Sequence, residues 1–173
     1  MWRMLGWFIW CLVLLLAIAQ MVWWYPQLPE VVPSHFDGRG QVDEEMAKPA
    51  FYFLIGGIQL LTMVGLPVLG HFLKGLPDSL INMPNKEYWL AAERRDDSLA
   101  VSFYMLLAIS WLTGLLMIVV FQLSAQVAMK QRTGISPEMW IAIVAYLVVV
   151  SGICGWSFFR FRMPKGKFAA DAA

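Results

Sequence analysis

The sequence predicts an all-α, polytopic membrane protein: a four-transmembrane-helix bundle with a structured first extracytoplasmic loop, one domain over residues 1–173. Three observations carry this. Hydrophobic residues make up 60% of the chain and charged ones 14%, where soluble domains run at about 45–50% and about 25%. Nine Trp and eleven Phe are more aromatic surface than a chain this small buries in water. The charges are also clustered. Charge-free runs of 26, 25, 32 and 21 residues separate Arg3 from Glu30, Lys48 from Lys74, Asp97 from Lys130 and Glu138 from Arg160. The net charge of +1 gives no basic field for nucleic acid.

Each run exceeds the roughly 20 apolar residues that cross a hydrocarbon core of about 30 Å. Helices are expected at about residues 5–24, 51–72, 99–123 and 139–159, because lipid leaves an unpaired backbone no partner. Trp23, Trp24 and Tyr25 close the first run, Tyr88 and Trp89 precede the third, and Trp140 and Trp156 flank the fourth. Such amphipathic rings collect at headgroup level. Asp96, Asp97 and Ser98 suit a helix start. The first run is read as an uncleaved anchor: Ala17-Ile18-Ala19 resembles a cleavage site, but the apolar stretch outruns a signal core. The Ala-rich end, Ala169–Ala173, is expected to fray.

Orientation follows from Lys and Arg. Arg3, Lys74, Lys86, Arg94, Arg95, Arg160, Arg162, Lys165 and Lys167 fall at the N-terminus, second loop and tail; Arg39, Lys48, Lys130 and Arg132 fall in the first and third loops. The positive-inside rule then puts both termini in the cytoplasm.

Packing is expected at small residues: Gly56, Gly57 and Gly65, and the small-xxx-small pairs Ser110/Gly114 and Ser151/Gly155. Pro67 should kink or end the second helix. Gln20, Gln59, Thr62, Ser102, Tyr104, Ser110, Thr113 and Gln122 read as cross-helix hydrogen-bonding groups. Cys11 and Cys154 read as small core residues. His71 falls near the cytoplasmic end of helix two, in reach of a carbonyl. No Asp, Glu, Lys or Arg is central in a helix, which weighs against a proton- or ion-coupled transporter.

The loop over residues 25–50 carries the chemistry. Pro26, Pro29 and Pro33 stiffen it, Val31-Val32 and Ser34–Phe36 favour strand-like stretches, and Asp37-Gly38 signals a turn, with Gly40 a second positive-φ site. His35, Asp37, Asp43, Glu44 and Glu45 place one imidazole among carboxylates. One His without Cys is a poor zinc set and the acids lack calcium-loop spacing, so no metal and no cofactor is expected. No nucleophile or oxyanion donor accompanies His35 and Asp37, so the expectation is non-enzymatic. The plain alternative to a recognition surface is that His35 and the acids hold the loop's own turns. The second loop, residues 74–98, mixes turn formers with interface aromatics around Asn82, Pro84, Asn85, Lys86, Tyr88 and Trp89.

Leu28-Pro29, then Pro33-Ser34-His35-Phe36-Asp37, Gly40, Asp43 and Lys48, resemble a bacterial membrane domain of unknown function, best known from the N-terminal part of Sdp-type toxin immunity proteins. Val42 stands where that loop commonly has Pro. The stretch Asn82–Leu90 looks like the second motif of small stand-alone members. The resemblance spans Met1 to about Leu123. It implies a multi-pass protein of the bacterial cytoplasmic membrane, of recognition, immunity or signal-relay type. His35, Phe36, Asp37, Gly40, Asp43 and Lys48 are then the partner-binding residues, and the bilayer and a secreted peptide or membrane protein the partners. The alternatives are an accessory to small-molecule or lipid transport or envelope homeostasis, and a membrane enzyme using His35 and Asp37.

Overall fold

A computed structural model describes residues 2–135 and 137–163. Lys165, Lys167 and the Ala169–Ala173 segment lie outside the described residues. In chain order the elements are α1 (Trp2–Trp24), β1 (Val31–Phe36), β2 (Val42–Ala47), α2 (Lys48–Leu60), a π-helical turn (Leu61–Gly65), α3 (Leu66–Phe72), 3₁₀ turns at Leu73–Gly75 and Asp78–Leu80, α4 (Lys86–Trp89), α5 (Arg95–Ala128) and α6 (Glu138–Arg160). Four helical stretches are long and apolar enough to cross a membrane: Arg3–Trp24, Lys48–Gly75, Arg95–Ala128 and Glu138–Arg160. Their outer faces expose Phe8, Leu15, Phe53, Leu61, Ile141 and Val148, among others. Exposed apolar surface this continuous is suited to lipid rather than to water.

The all-α expectation needs one correction. The first loop is a two-stranded antiparallel sheet, in which Val32 and Pro33 are buried while Val31, His35 and the acids of β2 are exposed.

α5 is the hub. Its 34 residues extend about 51 Å at 1.5 Å per residue, well beyond a hydrocarbon core. It begins a turn earlier and ends a turn later than the apolar run, and packs against α1, α2, α3, α6 and β1. Ser110 and Gly114 lie on its inner face. Ser110 is fully buried, and a Cβ on Gly114 would collide with Met63 Sδ and lie 2.9 Å from Val13 Cγ1.

Pro67 acts one turn before its own position. It has no N–H to return to the carbonyl of Met63, and the backbone there widens into the π turn. Met63 O instead accepts from Trp10 Nε1 at 2.7 Å and Ser110 Oγ at 3.1 Å. One proline thereby ties α1, the second span and α5 together at mid-bundle. Nearer the hairpin, Gln20 Nε2 donates to Gln122 Oε1 at 3.0 Å and to Ile118 O at 3.0 Å, and Trp24 Nε1 donates to Gln122 Oε1 at 3.1 Å. Thr113 and Tyr146 share a 2.9 Å bond between α5 and α6. Thr62 and Ser102 instead bond back to their own helices, at Ile58 O and Ser98 O. Gln59 is buried, its Nε2 without a hydrogen-bond partner.

Three packing expectations are overturned, the first at Gly57, where a Cβ would meet nothing within 4 Å. Nothing lies within 4 Å of a Cβ built on Gly155, and Ser151 is exposed; α6 turns this pair away from α5. Cys11 and Cys154 are also exposed, on outward faces rather than in the core.

Candidate functional site

The hairpin is built from its root. The chain leaves α1 through a turn in which Gln27 N and Leu28 N both donate to Trp24 O at 3.0 Å. Leu28 and Val32 then drop into a core with Trp24, Phe51, Phe121 and Ala125. Fully burying a side chain of that size contributes about 1.5–3 kcal/mol. At the far side of the root Lys48 N donates to Glu30 O at 2.8 Å, and Pro49 opens α2 where a missing N–H costs nothing. The Lys48 side chain is buried. Its Nζ donates to Leu28 O at 3.0 Å and Glu30 Oε1 at 3.0 Å, and lies 5.2 Å from the Tyr25 ring centroid.

The strands pair Val31 with Ala47, Val32 with Met46, Pro33 with Glu45, His35 with Glu44 and Phe36 with Val42, with register shifts on both sides of His35. Such irregularities re-aim a side chain. His35 is turned outward, its Nδ1 2.7 Å from Asp43 Oδ1, with side chains 63% and 44% exposed. The hydrogen bond to Asp43, and then its charge, raise the His35 pKa above 6.5.

Asp37 does different work. Its Oδ1 accepts from Arg39 N and Gln41 N, both at 2.8 Å, while Asp37 N donates to Gln41 O at 2.8 Å and Gly40 N to Asp37 O at 2.9 Å. The carboxylate is the frame of the turn. Gly40, with φ 78°, is the glycine of positive φ among the described residues, so the left-handed position is Gly40, not Gly38.

Loop three docks on this turn, which the sequence reading did not anticipate. Ile135 N donates to Gly40 O at 3.1 Å, and a Cβ on Gly134 would stand 2.5 Å from the same oxygen. Gly134 was the available signal: backbone approaches backbone here. Arg132 pairs with Glu138 at 2.6 Å, fixing loop three to the start of α6. Phe36 packs beside the Leu123, Ile135 and Met139 cluster. Between hairpin and α6 lies a cavity of about 260 Å³, with Ser34, His35 and Asp37 on its polar side and Phe36, Met139 and Trp140 among its apolar walls.

Of the first set of candidate residues, His35, Phe36, Asp37 and Gly40 meet at this cavity. Asp43 joins through His35, and Lys48 belongs to the root. The second set lies at the opposite end of the bundle. Asn85, in the left-handed region at φ 52°, donates through Nδ2 to Phe161 O at 2.9 Å, and Trp89 Nε1 donates to the same oxygen at 2.8 Å. Arg160 lies over the Trp89 ring at 4.7 Å and Arg94 over Tyr88 at 4.0 Å. Pro84 and Lys86 are half-buried and Asn82 is exposed, around a core of Ile81, Met83, Leu90, Leu99 and Phe161. This segment clamps the end of α6. His71, on α3, lines a separate cleft at that same end. Among the described residues no three His, Cys, Asp or Glu side chains come together as a metal site.

A protein-family model, a domain of unknown function (DUF1648), matches residues 12–60. The match runs from within α1, through the hairpin, to the last residue of α2, stopping short of the π turn and of the Asn82–Trp89 segment. No curated protein and no solved structure matches the chain.

Proposed function

We propose that this chain is a non-enzymatic recognition protein of the bacterial cytoplasmic membrane, of immunity or signal-relay type, whose hairpin meets a partner outside the cell. The observation that carries the reading is the exposed His35–Asp43 pair on a hairpin held by buried groups at its root and by loop three at its crown. A rigid scaffold presenting polar side chains is how loops recognise partners. A secreted peptide or a membrane protein is the partner class that the Sdp-type resemblance suggests. The excess of Lys and Arg at the opposite end supports cytoplasmic termini. A reporter active only outside the cytoplasm should be silent after Ala173 and active near Gly38.

The test of recognition is His35→Ala beside Arg39→Ala. The first should insert normally, yet lose partner-dependent protection or signalling; the second, away from the pair, should behave as the parent. Unchanged activity in His35→Ala removes the reading. An accessory role in lipid or small-molecule handling is the second reading, favoured by the open apolar cleft beside His71. An enzyme using His35 with Asp37 is disfavoured, because Asp37 Oδ1 is engaged by two backbone N–H groups.

A further inference from the structure

The cleft beside His71 is a built feature at the end of the bundle away from the hairpin. It measures about 420 Å³ and is walled by Trp7 and Trp10 of α1, Val64 of the π turn, and Pro67, Val68 and His71 of α3, with Phe103 of α5 as its floor. Ligand cavities commonly run to roughly 300–1,000 Å³. Two of its walls are parts of the mid-bundle lock: Pro67 frees the Met63 carbonyl, and Trp10 answers it with its indole N–H at 2.7 Å. The bond fixes the Trp10 ring. Trp7 stands edge-on to Trp10 at 5.6 Å and 5.8 Å from the Phe103 ring. The cleft is therefore held open by hydrogen bonding and aromatic packing, not by chance gaps.

Its rim is exposed: Trp7, Val68 and Phe72 present 40%, 45% and 63% of their surface. These residues lie on spans apolar enough for a bilayer, so the cleft opens sideways toward acyl chains. The lining is apolar except at His71, an exposed residue that offers a ring N–H donor in either neutral tautomer. A basic residue follows it in the chain. Lys74 follows three residues on, in the last turn of its 3₁₀ segment. Arg3, one turn before Trp7 on α1, is engaged elsewhere, its guanidinium 5.5 Å over the Tyr104 ring. Asp78, the acid next along the chain from Lys74, is paired with Arg95 at 3.2 Å. An apolar slot with an imidazole donor at its lip and a lysine three residues beyond suits an acyl chain bearing a phosphate.

We propose that this cleft binds one acyl chain of an anionic phospholipid, with His71 donating to the headgroup phosphate and Lys74 supplying charge beside it. The proposal rests on the membrane spans and not on the hairpin, so each reading can fail alone. The test uses the full chain in mild detergent, given equal amounts of phosphatidylglycerol and phosphatidylcholine with identical acyl chains, and counts retained lipid by native mass spectrometry. The parent should retain one phosphatidylglycerol in several-fold preference. Lys74→Gln should abolish the preference while still holding lipid of both kinds, His71→Ala should weaken retention of both, and Val68→Trp, filling the cleft from its exposed wall, should hold neither. All three side chains are exposed, so the variants should melt like the parent. Equal retention of the two lipids by the parent, an undiminished preference in Lys74→Gln, or undiminished retention in His71→Ala overturns the proposal. Displacement of the lipid by inorganic phosphate overturns it in favour of a free-anion site. A dimer that Val68→Trp dissociates overturns it in favour of a second copy in the cleft.

Discussion

The root and the crown of the hairpin are held by different physics. At the root, Leu28 and Val32 are buried against Phe121 and Phe51, and Lys48 spends its ammonium on Leu28 O and Glu30. At the crown, the bonds are short-range and solvated: the Asp37 turn and the His35–Asp43 pair, joined by a tertiary bond from Ile135 N to Gly40 O. Burial makes the root expensive to change. Solvation makes the crown cheap to change, since exposed pairs contribute little to stability. A protein can therefore vary the residues that a partner meets without risking the helices beneath.

The sharpest break of that comparison is at Lys48. Lys48→Met keeps most of the volume and removes the donor, leaving Leu28 O unpaired beside the core; a lost partner of that kind costs about 1–3 kcal/mol. The expected result is a lower melting temperature in detergent together with faster proteolysis of residues 25–47. A variant that melts like the parent would show the root to be held by Leu28 and Val32 alone. A smaller effect is expected at Gly40→Ala, where a left-handed backbone costs an L-residue about 1–2 kcal/mol. Its damage should stay at the crown: amide exchange at Ile135 should accelerate while that of α5 stays unchanged. Acceleration spreading into α5 would mean that crown and bundle unfold together.

How much of this was legible depends on whether a pattern needs to know its neighbour. The four spans were, because charge-free runs set them without reference to any partner. Pro67 was legible as a break, but its consequence, the Met63 carbonyl turned to Trp10 and Ser110, depended on helices far away in sequence. The two small-xxx-small pairs make the same point. Ser110 and Gly114 are buried because α5 is surrounded, whereas at the same spacing Ser151 is exposed and a Cβ on Gly155 would meet nothing, because α6 packs on α5 through another face. In the hairpin the turn at Asp37 was readable from local chemistry. The pairing of His35 with Asp43 was not, since it needs a strand register broken on both sides of His35. The docking of loop three was hidden for a similar reason: Gly134 has meaning only once Gly40 is placed against it.

The smallest effect expected is also the one most specific to the crown. The His35 pKa is raised above 6.5, first by its hydrogen bond to Asp43 and then by that carboxylate's charge. A group whose folded pKa is raised adds stability that is complete below the unfolded value and lost as pH rises through the folded one. The imidazolium should therefore fasten the crown below about pH 6.5, the ordinary histidine value, and release it above its raised pKa. A neutral ring can keep the Nδ1–H···Oδ1 bond but gives up the charge. After correction for intrinsic exchange, amides of residues 41–44 should be better protected on the acid side of this window than on the alkaline side. The difference should shrink at molar salt, where the screening length falls to about 3 Å, and should vanish in both His35→Ala and Asp43→Asn. The root offers the internal reference, since the Lys48 N–H to Glu30 O bond should exchange alike across the window. A pH dependence that survives in Asp43→Asn would assign the raised pKa to Glu44 or Asp37 instead, and the crown would then be held by its field of acids rather than by one pair.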